Sequence, residues 1–111
     1  MPPRDWRLRV EDILDAIARI ERYVAGINSE QFKADQKTVD AVVRNLEIIG
    51  EAVRHLAAEE QNLPAAVPWT DIAGMRNILI HEYFGVDLNI IWQTVTVDLP
   101  ALRAELERVG R

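Results

Sequence analysis

The stretch DQKTVDAVVRNLEIIGEAVRHL, residues 35–56, decides the fold because its apolar residues recur at helical spacing. They are Val39, Val42, Val43, Leu46, Ile49, Val53 and Leu56. Asp35 stands where a side chain caps a helix, so the pattern predicts a helix from there to about Glu60. Gly50 inside it costs about 1 kcal/mol relative to Ala, which indicates a packing role such as close approach of a neighbouring helix.

A second long helix is predicted ahead of this stretch, from about Asp5 to Val24. Its apolar residues show the same spacing: Leu8, Val10, Ile13, Leu14, Ile17, Ile20 and Val24. Gly26 follows closely and favours the end of the helix. Two apolar stripes of this length can bury each other, which is typical of a helical bundle.

The chain after residue 60 is helical again once a break has passed. Two prolines in QNLPAAVPWTDI, residues 61–72, predict a loop. A shorter helix is predicted from about Trp69 to His81, followed by a turn at Gly85. Asp87 then caps a fourth helix that includes Leu88, Ile91, Trp92 and Val95.

Pro100 leaves two possibilities for the C-terminal part. It either kinks the fourth helix, or occupies the first turn of a last helix, Leu99 to Val109, capped by Asp98. No stretch favours a strand. The sequence therefore predicts an all-α, up-and-down bundle of four to five helices, in a single domain over residues 1–111.

Composition excludes several kinds of function. The chain has 111 residues, no cysteine and a formal net charge of −5. Disulfides, thiol catalysis and cysteine metal sites are excluded, and an acidic chain lacks the basic face of a general duplex binder. No apolar run is long enough to span a membrane, and MPPRDWRLRV lacks the apolar core of a signal peptide. We therefore expect a cytoplasmic protein.

The motif RNILIHEYFG, residues 76–85, places four chemically active side chains close together: Arg76, Asn77, His81 and Tyr83. On an ideal helix they lie away from the core-facing arc, which holds Ile72, Met75, Ile78 and Leu79. Ile80 and Phe84 share the outward arc, and large apolar residues there favour a subunit interface. A two-fold interface would bring two arginines and two histidines into one cleft.

These residue types fit metal-independent RNA cleavage, in which a 2′-hydroxyl attacks the adjacent phosphate. Histidine transfers protons near neutral pH, and arginine stabilises charge on phosphate oxygens. No metal or cofactor is expected, because His81 has no second ligand at metal spacing and His55 is alone on another helix. On the residues alone, an interface role and a catalytic role both stay open.

The string RNILIHEYFGVD resembles the Arg–x4–His–x–Tyr signature of HepT-like toxins of the HEPN superfamily. The resemblance extends over most of the chain, including IIGEA at residues 48–52, VPWTDIAGMRN before the motif and VDLNIIWQTVTVDLPAL after it.

This resemblance implies a homodimeric HEPN-like fold and a ribonuclease toxin of a type II toxin–antitoxin pair. The implied partner is a minimal nucleotidyltransferase antitoxin that adds AMP to the motif tyrosine. Arg76 and His81 would form the catalytic pair, Asn77 would support them, and Tyr83 would be modified. An alternative is a non-catalytic helical scaffold subunit for that partner.

Roles are also predicted for six further side chains. Glu47 and Glu51, one turn apart, are expected on a solvated or salt-bridged face, although an acid here could also orient Arg76. Glu51 and His55 are spaced for a helix-surface contact. Arg44 could face the cleft. Trp69 and Trp92 are expected to be packing aromatics.

Overall fold

The computed structural model describes residues 6–59, 69, 72 and 87–109, and every regular element among them is helical. The long helices α1 (Trp6–Val24) and α3 (Gln36–Glu59) flank a short helix, α2 (Ser29–Ala34). The C-terminal part comprises α4 (Leu88–Gln93), a π-helical turn (Thr94–Asp98) and α5 (Leu99–Val109). The predicted all-α class is confirmed.

The core lies mainly between α1 and α3, which make the most extensive contact of any two of the described elements. All seven residues of the predicted α3 stripe are buried, from Val39 to Leu56. Gly50 is buried with them. On α1 the stripe is buried at Val10, Ile13, Ile17 and Ile20, whereas Leu8 is exposed, so its predicted core position is wrong.

Single residues set the ends of the long helices as predicted. Gly26 has φ +76°, a left-handed conformation that glycine adopts without strain, and the Ile27 amide donates to the Val24 carbonyl. Asp35 caps α3 by accepting from the amide and hydroxyl of Thr38.

The helix α2 was not predicted. Asn28 caps it in a reciprocal arrangement: its side chain accepts from the Gln31 amide, and the Gln31 side chain accepts from the Asn28 amide. Phe32 on α2 is completely buried and its ring lies 5.2 Å from that of Trp92, centroid to centroid. The short helix thereby joins α3 to α4.

The structure combines the two possibilities predicted at Pro100: a last helix begins at Leu99 as predicted, but it is continuous with the fourth helix. Asp87 caps α4 through the Asn89 amide, and the helix then continues without a break through the π turn into α5. The Leu99 amide donates to the Thr94 carbonyl, five residues back. Pro100 has no N–H and its ring crowds the carbonyl four residues earlier, so a wider turn at this place relieves the clash. Asp98 lies inside the π turn, so its role as the N-cap of a separate helix is wrong.

Candidate functional site

The four motif residues Arg76, Asn77, His81 and Tyr83 lie outside the described residues. The same holds for Ile80 and Phe84 of the expected interface, for most of the predicted loop and third helix, and for the turn at Gly85.

Trp69 and Ile72 are the two described residues in the sequence that leads into the motif. Both are helical, as predicted for this part of the chain. Ile72 is only 5% exposed and belongs to the core, which confirms its predicted core-facing position. Trp69 is half-buried against the same core, as expected for a packing aromatic. The core therefore includes a residue that lies four positions before Arg76 in the sequence.

Helix α3 carries a row of paired charges on its surface side. Glu51 lies at the centre of a cluster: its Oε1 is 2.9 Å from the His55 Nε2 and 2.9 Å from an Arg54 guanidinium nitrogen. Arg54 also lies 3.4 Å from the His55 ring nitrogen. The predicted contact between Glu51 and His55 is confirmed. The bond to Glu51 raises the pKa of the Arg54 guanidinium above its ordinary value.

Arg44 and Glu47 form a second pair on α3, one turn from the first. Their side chains approach to 3.6 Å at i,i+3 spacing, as expected for a salt-bridged face. The Arg44 side chain is 72% exposed and that of Glu47 is 24% exposed. These ion pairs balance the charges of Glu47 and Glu51 locally. The link of either glutamate to Arg76 stays a prediction.

One polar contact was missed by sequence reasoning. Asn45 is 5% exposed and lies among the buried residues of α3. Its amide oxygen accepts from the Arg19 Nε at 2.8 Å, and its amide nitrogen donates to the Ala41 carbonyl at 2.9 Å. The sequence did contain a signal for this contact, because Asn45 lies on the core side of the apolar stripe, between Val42 and Ile49. This contact fixes α1 against α3 and does not itself bear on the chemistry.

None of the helices in the described part is long and apolar enough to cross a membrane. No group of three or more His, Cys, Asp or Glu side chains within residues 6–59, 69, 72 and 87–109 is placed to hold a metal ion.

Sequence comparisons with known proteins also cover the residues that the structure does not describe. A family model described as "Ribonuclease HepT-like" matches residues 13–109. The chain is 44% identical over 102 residues to the "Probable ribonuclease HepT" of Thermococcus cleftensis, covering 92% of this chain and 93% of the relative.

Two further relatives carry the name "Putative RNase". The one from Caldanaerobacter subterraneus subsp. tengcongensis is 44% identical over 100 residues, 90% of this chain and 89% of the relative. One from Methanocaldococcus jannaschii is 37% identical over 109 residues, 98% of this chain and 100% of the relative. No solved structure shows significant similarity to the chain.

Proposed function

The chain belongs to the HepT-like family of the HEPN superfamily, and we propose that it is a metal-independent endoribonuclease, the toxin of a type II toxin–antitoxin pair. One observation carries the proposal: the family match over residues 13–109 spans Arg76, Asn77, His81 and Tyr83. Relatives with ribonuclease names match over nearly the whole chain, which supports the same assignment. The proposed place of action is the cytoplasm, and the substrate is RNA.

The proposed reaction needs no metal. The ribose 2′-oxygen bonds to the adjacent phosphorus while the bond from phosphorus to the 5′-oxygen breaks. The 2′-hydroxyl loses a proton and the leaving 5′-oxygen gains one, so the products carry a 2′,3′-cyclic phosphate and a 5′-hydroxyl. His81 transfers these protons, because imidazole exchanges protons near neutral pH. Arg76 grips the phosphate oxygens and stabilises their developing charge, and Asn77 supports the pair.

The proposed active form is a homodimer. The outward arc with Ile80 and Phe84 would meet its copy, so that Arg76 and His81 of both chains line one cleft. Such a cleft concentrates positive charge in a chain whose formal net charge is −5. An acidic protein needs a local cationic site of this kind to hold an RNA backbone.

The proposed partner is a minimal nucleotidyltransferase that neutralises the toxin at Tyr83. The phenol oxygen would bond to the α-phosphorus of ATP and lose its proton, and pyrophosphate would leave. Each AMP brings a negative phosphate and a bulky base beside the cleft, where both exclude RNA.

Incubation with the partner and ATP tests this neutralisation. We expect the mass of the chain to rise by whole AMP units and RNA cleavage to stop, while the far-ultraviolet circular dichroism spectrum stays the same. Tyr83→Phe is the matched control, and it should keep cleaving under the same treatment. Equal cleavage by modified and unmodified protein would refute the mechanism.

The alternative is a scaffold subunit that binds the nucleotidyltransferase without any chemistry of its own. The toxin and scaffold hypotheses can be separated by the growth of cells that express the chain without its partner. We expect wild type and His55→Ala to stop growth, and His81→Ala to be harmless while it still co-purifies with the partner. A wild type that is harmless and leaves RNA intact would favour the scaffold.

A further inference from the structure

We draw no further inference here: the strongest candidate, the surface of α4 and the π turn on which the apolar side chains of Ile90 and Val97 are exposed, carries none because nothing in the described part of the structure shows what covers it.

Discussion

Asn45 shows how one residue can fix two helices. It is the buried polar side chain that joins α1 to α3, through a 2.8 Å bond from Arg19. The bond spans 26 positions of sequence, and the Asn45 amide is also tied to its own helix through the Ala41 carbonyl. A polar pair at this depth sets the relative position of the helices more sharply than apolar contacts do.

We expect Asn45→Ala to lower the free energy of unfolding by about 1–3 kcal/mol, because it leaves the partly buried Arg19 guanidinium without this acceptor. Urea denaturation of Asn45→Ala, Arg19→Ala and the double variant measures the effect. The double variant should be more stable than the sum of the two losses predicts. Simple additivity would show that the two side chains do not act together.

At the scale of elements, single capping residues were enough to predict the ends of the long helices. Gly26 ends α1 through its backbone conformation, and Asp35 and Asp87 begin α3 and α4 through their side chains, each where the sequence predicted it. The six residues of α2 were missed because so short a helix gives no periodicity, although Asn28 and Gln31 already formed a capping pattern. The π turn could not be predicted, since Pro100 fits both a kink and a first turn, and only the packing of neighbouring residues decides.

Gly26→Ala should destabilise the fold by roughly 1–2 kcal/mol, the usual excess of a left-handed conformation for a residue with a Cβ atom. An added Cβ would meet nothing within 4 Å, so the whole effect comes from the backbone at φ +76°. Gly26→Asn should destabilise the fold less than Gly26→Ala, because asparagine tolerates this conformation better than alanine. Equal losses for Ala and Asn in thermal denaturation would argue against this cause.

The Asp35 cap of α3 predicts that the stability of the fold depends on pH. Hydrogen bonds from the Thr38 hydroxyl and then its amide lower the pKa of Asp35 below its ordinary value. A lowered pKa in the folded state means that the carboxylate stabilises the fold above the unfolded pKa of 3.8, and that this is lost as pH falls through the folded pKa.

Asp35→Asn keeps a good cap without a titrating group. Wild type should therefore be more stable than Asp35→Asn at pH 7, and the difference should vanish in acid. Chemical denaturation from pH 7 to pH 2 measures it. A constant difference over this range would contradict the role of the charge.

At the scale of the whole molecule, the buried residues of the described helices follow the predicted apolar pattern, apart from α2 and Leu8. Phe32 is completely buried and packs on Trp92, so a short element distant in sequence completes the core beside α4. The motif was predictable from sequence as a set of residue types and as a family signature. The side chains that contact the motif were not predictable, because they depend on which helices pack together and on how copies of the chain assemble.

Phe32→Ala should cost about 3–5 kcal/mol, the usual loss for a buried phenylalanine, and would approach the whole stability of a domain of this size. Phe32→Leu should lose clearly less because it refills most of the space. Guanidinium denaturation followed by circular dichroism gives both values. A loss under 1 kcal/mol for Phe32→Ala would mean that α2 is not part of the cooperative core.

The central claim is that His81 and Arg76 make this chain a ribonuclease. The most direct test is the fate of end-labelled messenger and transfer RNA in EDTA, with purified wild type, Arg76→Ala, His81→Ala and the control His55→Ala. We expect wild type and His55→Ala to leave 2′,3′-cyclic phosphate ends, and both motif variants to be slower by at least about 100-fold. Intact RNA with unmodified, dimeric wild type, or equal cleavage by His81→Ala, would contradict the account.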